Sequence, residues 1–258
     1  MVDISFTQAD IECFILILVR ITSFMFTAPF FSQANTPARL KIGFAVFLSF
    51  ILYLVLPDKT VDYSSIWEYS TIVIKEAIAG LLLGFFTQIC NMVIIFAGKI
   101  IDFETGLSMA EVYDPNTRSQ VSIVGNLYSY SILLLLLATN MHKFLLGAVV
   151  DSFTVAPLGE VVIQHSLLDT FLGFVGNYFI IGFEICLPIF AMGLVLNAVL
   201  GIMAKVAPQM NMFAVGIQIK VIAGLIVIFI TTALLPTIAN LIFDQMRLIT
   251  VDVLQGLH

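Results

Sequence analysis

Six long apolar runs dominate the chain, at residues 11–31, 42–56, 77–101, 123–138, 171–200 and 213–242, with a shorter one at 144–153. A helix needs about 20 apolar residues to cross a ~30 Å hydrocarbon core, so the long runs predict six membrane-length helices. The short run is expected to extend or re-enter beside the fourth. Two runs have awkward lengths. Residues 42–56 are only 15 long, which calls for tilt, a locally thinned bilayer or protein surroundings instead of lipid. Residues 171–200 exceed one span, and Pro188 removes an amide donor inside them, which predicts a kink or break. Ala-Pro recurs at 28–29, 156–157 and 207–208, each near the end of an apolar run. The residue before a proline avoids the α region, so these dipeptides read as helix stops.

The polar connectors between the runs (32–41, 57–65, 102–122, 139–143, 154–170 and 201–211) are too short to be soluble domains. Residues 1–258 are therefore expected to form a single membrane-embedded domain, an all-α polytopic protein. Composition agrees: 60% of the 258 residues are hydrophobic and 11% charged, with a mean hydropathy of +1.07. Soluble domains run near 45–50% apolar and about 25% charged.

A net charge of −6 argues against nucleic acid, which needs basic patches. No Lys or Arg precedes Arg20, so the first run lacks the basic flank of a secretory signal and is expected to stay as a span. Orientation is not legible: with six spans one side collects Arg39, Lys41, Lys99, Arg118 and Lys205, the other Lys59, Lys75, Lys143 and Arg247. Cys13, Cys90 and Cys186 are far apart and lie in apolar runs, which predicts buried free thiols.

Charges inside apolar runs carry the chemical interest, because one at the bilayer centre costs at least ~2.5–3.5 kcal/mol. Arg20, Glu184 and Lys220 lie within runs, and Lys75 and Glu76 open the third. Three roles are open to them: contact with a partner subunit, structural pairing such as Glu184 with Lys220, or an ion pathway. Nothing points to catalysis or a cofactor. His142, His165 and His258 show no metal-ligand spacing, and nucleotide and hydrolase motifs are missing. Asp102 and Glu104 read as solvated acids of a connector. Gly80 and Gly84 form a GxxxG that permits close helix approach. Met203, Met210 and Met212 bracket a polar turn with flexible thioethers that suit a deformable seal.

The connector DFETGLSMAEVYDPNTRSQVS, residues 102–122, stands out as polar and Gly/Pro-punctuated between two strongly apolar runs. It is either a surface loop or a re-entrant, pore-occluding one. Non-helical backbone at membrane depth survives only inside protein or beside a water-filled cavity.

Several blocks carry a family resemblance. Residues 27–32 (TAPFFS) with 36–43 (TPARLKIG), Gly106–Leu107–Ser108 with Asp114–Pro115, residues 151–153 with 156–159 (APLG), and residues 207–213 (APQMNMF) with Gly216 and Lys220 occur in that order. Together they resemble the FliR / SctT family of type III export-gate proteins, in its flagellar branch. The resemblance implies a non-enzymatic subunit of the flagellar protein-export gate in the bacterial inner membrane and the basal body, with a fold like a FliP–FliQ fusion. It implies assembly with FliP and FliQ, contact with FlhB and FlhA, and passage of unfolded flagellar proteins. It also implies that Gly106, Leu107, Ser108, Met109, Asp114 and Pro115 form a plug loop in the closed gate. The family usually has Gly-aromatic-Pro before its last Lys; here residues 216–220 read GIQIK, which predicts a straighter helix. The competing class is a small-solute secondary transporter, which also uses broken helices and intramembrane charges.

Overall fold

All three Ala-Pro dipeptides stop a helix in the computed structural model, which describes residues 7–33, 36–56, 61, 63–110, 112–114, 119–209 and 211–257. Helix α1 (Gln8–Thr27) ends on Ala28 and α5 (Met141–Val155) on Ala156, while α6 (Ser166–Val206) ends one residue before Ala207. The other helices are α2 (Ala38–Val55), α3 (Ile66–Thr105), α4 (Ile123–Ala138), α7 (Met212–Thr231) and α8 (Leu235–Gln255). Between α3 and α4 lie a 3-10 turn (Leu107–Ala110) and an antiparallel ribbon of β1 (Val112–Asp114) and β2 (Ser119–Val121). The all-α polytopic reading holds, with this small ribbon added to it. Lys59, Pro115, Arg118, Met210 and His258 lie outside the described residues.

Several run boundaries need correction. The short run 42–56 becomes the 18-residue α2 because the helix starts earlier, at Ala38, and takes in Arg39 and Lys41. At 1.5 Å per residue it is about 27 Å long, close to a bilayer core. Pro188 does not break the fifth run, since α6 continues through it for 41 residues. One proline removes a single ladder bond, and the remaining bonds of the helix carry it on. The last run does split, at a 3-10 turn over Thr232–Leu234 just before Pro236. Pro236 fits the first turn of α8, where its missing N–H costs nothing. The run 144–153 is a helix of its own, α5, separated from α4 by Asn140 in the left-handed region (φ 57°). Helix α7 passes uninterrupted through Gln218, as the missing family proline leads one to expect.

Four stretches are long and apolar enough to cross a membrane, namely Ala38–Val55, Ile66–Thr105, Ser166–Val206 and Met212–Gln255; α4 and α5 counted together make a fifth. Helix α1, which carries Asp10, Glu12 and Arg20, is not among them, so six simple spans are too many.

The chain divides into two compact units: residues 1–89, 140–174 and 245–258, and residues 90–139 and 175–244. In the first unit, Thr7 and Asp10 form a capping box that opens α1. Helix α2 packs back on α1 through Tyr53, whose ring meets Phe14 edge-on and whose hydroxyl donates to Asp10 at 2.7 Å. Gly80 and Gly84 lie directly against α1. A Cβ on Gly80 would sit 2.0 Å from the Arg20 carbonyl oxygen, and one on Gly84 would sit 2.9 Å from that of Phe24. The GxxxG is therefore a true helix contact. In the second unit, Gly98 of α3 and Gly125 of α4 touch in the same way, with a Cβ on Gly98 falling 2.1 Å from the Gly125 Cα. Phe96 fills the space beside Gly182 among Tyr178, Phe179 and Phe183. The three cysteines are buried and form no disulfide.

Candidate functional site

The first unit buries one of the three intramembrane charges completely. Arg20 and Glu76 are both 0% exposed, and Arg20 Nε donates to Glu76 Oε2 at 2.5 Å. Arg20 Nη1 donates to the carbonyls of Ser152 (2.9 Å) and Ala156 (3.0 Å) and to the Ser152 hydroxyl (3.2 Å). Those carbonyls lie in the last turn of α5 and at its C-cap, where a cation complements the helix dipole. The guanidinium also lies 4.2 Å from the centre of the Phe153 ring. Glu76 Oε1 in turn accepts from the backbone N–H of Gly159 at 3.0 Å, and Gly159 has a φ of +85° that favours glycine. The residues at 152–159 that carry part of the family resemblance are thus those that satisfy Arg20 and Glu76. Arg20 Nη2 is buried without a partner.

The second unit holds a different device. Asp102 is 0% exposed and reaches from α3 to the first turn of α4. Its carboxylate accepts from the Ser122 hydroxyl (2.6 Å) and from the N–H groups of Ile123 (2.7 Å) and Val124 (3.2 Å). Ser122 is itself the N-cap, accepting from Gly125 N–H at 2.8 Å. A carboxylate at a helix N-terminus meets unsatisfied donors and the positive end of the dipole. Asp102 is therefore no solvated connector acid, as its polar neighbours suggested. It ties the two ends of the connector together.

Past Thr105, where α3 ends, the described residues of the connector leave the α-helix. Gly106 takes φ +80° at the end of α3, and a Cβ there would lie 3.8 Å and 3.9 Å from Ile217 and Val221 of α7. Leu107, Ser108, Met109 and Ala110 form the 3-10 turn; Leu107 and Ser108 are half-buried and Met109 is exposed. Asp114 closes β1, pairing in register with Ser119.

Glu184 and Lys220 form no ion pair with each other. Glu184 is exposed on α6 and Lys220 half-buried on α7, and neither makes a hydrogen bond or ion pair among the described residues. The carboxyl-bearing Glu184 lines a cavity of about 180 Å³ together with Tyr128, Pro188, Thr231, Thr237 and apolar neighbours. Tyr128 and Thr231 share a hydrogen bond of 3.3 Å between their hydroxyls. Among the described residues no group of His, Cys, Asp and Glu could hold a metal ion.

Two key partners escaped the sequence reading. Glu76 was visible as a charge at the start of a run, but its pairing with Arg20 spans 56 positions. The role of Asp102 had one local signal: Ser122 stands just before the apolar run 123–138, the place of an N-cap whose following N–H groups need acceptors.

Comparison with known proteins matches this architecture from near one end to the other. The family described as bacterial export proteins, family 1, matches residues 11–246. The flagellar biosynthetic protein FliR of Bacillus subtilis (strain 168) is 30% identical, over 95% of this chain and 93% of its own length. That of Pectobacterium carotovorum is 29% identical over 93% and 91%, and that of Escherichia coli (strain K12) 28% over 86% and 84%. With the match covering every helix from α1 into α8, and the Arg20–Glu76 network and the tied connector inside it, the chain belongs to the FliR family of bacterial export proteins.

Proposed function

We propose that the chain is a non-enzymatic, multi-pass subunit of the flagellar protein-export gate in the bacterial inner membrane, at the flagellar basal body. The observation that carries this is the family match over residues 11–246 together with membrane-length helices. The chain acts as one export-gate subunit. It assembles with FliP and FliQ into a pore for unfolded flagellar proteins, and FlhB and FlhA act beside it.

In this reading the connector from Gly106 to Ser122 is the plug. A hole wide enough for an unfolded polypeptide leaks ions unless something narrow and apolar closes it, and a dewetted constriction is enough. The connector is suited to this by its construction. Asp102 ties the end of α3 to its far end at Ser122, its described residues leave the α-helix, and Met109 presents an exposed unbranched thioether that repacks as cargo enters. The residues proposed for it are Gly106, Leu107, Ser108 and Met109, with Asp114 at the end of β1 and Pro115. Deleting residues 106–112 should leave the complex with FliP and FliQ intact and make expressing cells permeable to small ions and dyes. Intact assembly without leakage would refute the plug. Failure of the chain to co-purify with FliP and FliQ would refute the gate assignment itself.

A further inference from the structure

We propose that the cavity beside Glu184 receives the side chain of a lysine from an apolar helix of another subunit. The proposal rests on the reading of this chain as one subunit of a multi-chain gate. It starts from a charge without an answer. Glu184 sits among the exposed apolar residues Phe183 and Leu187, in the middle of a 41-residue apolar helix, and no described residue pairs with it. A carboxylate facing hydrocarbon is costly, so intramembrane acids face protein or water.

The surroundings specify what should come. Pro188 has no N–H, so the Glu184 carbonyl four residues earlier lacks its usual helical donor. Tyr128, Thr231 and Thr237 also line the cavity. Thr231 already donates to the Ile228 carbonyl at 3.1 Å, which leaves its oxygen as an acceptor for Tyr128. The cavity is thus lined by one acidic residue, three hydroxyl-bearing ones and apolar neighbours, and no cationic residue lines it. An acid without a cation beside it, next to hydroxyl-bearing residues, calls for a cation with several donors. Lysine has three donors on a compact ammonium. Its four-carbon stem fits the remaining apolar wall, which includes Ile238. A bare metal ion would gain nothing from that wall. The chain's own Lys220 is not at the cavity.

Zero-length carbodiimide coupling on membranes holding the assembled complex tests this, because it joins a carboxylate only to an amine in contact with it. Peptide mapping should find Glu184 in an amide bond to a lysine from an apolar segment of a second chain. Glu184→Gln should abolish that product, and Ile238→Trp, which fills the cavity but keeps the carboxylate, should lower it roughly tenfold. Coupling of Glu184 to Lys220, or no coupling in an intact complex, would overturn the proposal. So would a complex that falls apart when sodium is replaced by choline, which would assign the cavity to a free monovalent cation. Complementation of a deletion strain keeps the two readings apart. If the unaltered chain does not restore flagellar export, the gate assignment fails; if export returns and Glu184 stays uncoupled, the cavity proposal alone fails.

Discussion

Arg20 in the first unit, and Glu184 and Lys220 in the second, show two opposite fates of charge in an apolar setting. In the first, Arg20 is withdrawn fully from the surface and met by Glu76, two α5 carbonyls, a hydroxyl and an aromatic face. In the second, Glu184 and Lys220 lie on apolar helices without an ion partner among the described residues. The same desolvation cost applies to both. A charge satisfied inside its own chain is architecture: it holds the end of α5 and the turn at Gly159 against α1 and α3. A charge left open at a helix surface belongs to whatever covers that surface. Position in an apolar run therefore does not reveal a charge's role; its partners do.

The sharpest break of this comparison is Glu76→Ala. It strands a fully buried guanidinium and should cost ~3–5 kcal/mol, seen as loss of the folded protein in detergent thermal unfolding. The double change Arg20→Met with Glu76→Leu should recover most of that loss, since apolar replacement of a buried pair is often neutral or better. A double variant as unstable as the single one would show that the pair's worth lies in its hydrogen bonds to α5.

Next in size is Gly80→Ala. Its Cβ would fall 2.0 Å from the Arg20 carbonyl, a backbone atom that cannot swing aside. The resulting overpacking should cost ~1–3 kcal/mol and weaken the Arg20 network with it. Gly147→Ala, at a position with nothing within 4 Å, is the control and should be neutral or slightly stabilising.

Asp102→Ala should cost about 2 kcal/mol by leaving the Ile123 and Val124 donors and the Ser122 hydroxyl without their acceptor. Hydrogen exchange should rise at the start of α4 and in the connector, with the first unit unchanged. Exchange spreading equally to α1 and α5 would mean that Asp102 supports more than the connector.

The smallest effect should come from Glu184→Gln in the isolated chain. Having no internal ion pair to lose, it should shift stability by no more than about 0.5 kcal/mol. A loss comparable to that of Glu76→Ala would erase the distinction between the two units.

How much of this was legible beforehand follows from the range of each interaction. Helix identity and the three Ala-Pro stops depend on a residue and its neighbours, and so did the expectation that Gln218 leaves α7 unbroken. Residues 27–32, 151–159 and 207–213 carried the family without any coordinates. Hydropathy misplaced helix ends where proline and backbone hydrogen bonding, not apolarity, set them. It missed the start of α2 at Ala38 and the break before Pro236.

The sequence by itself determined that this is an all-helical membrane protein of the export family, because composition, run length and ordered motifs are local or additive properties. Only the tertiary structure decided which charges are answered. Arg20 meets Glu76 across 56 positions and Ser152 across 132, while Asp102 reaches 21 residues ahead to cap α4. A charge's energy depends on the donors, acceptors and dielectric within a few ångströms, and chain packing brings those together from places no sequence window spans.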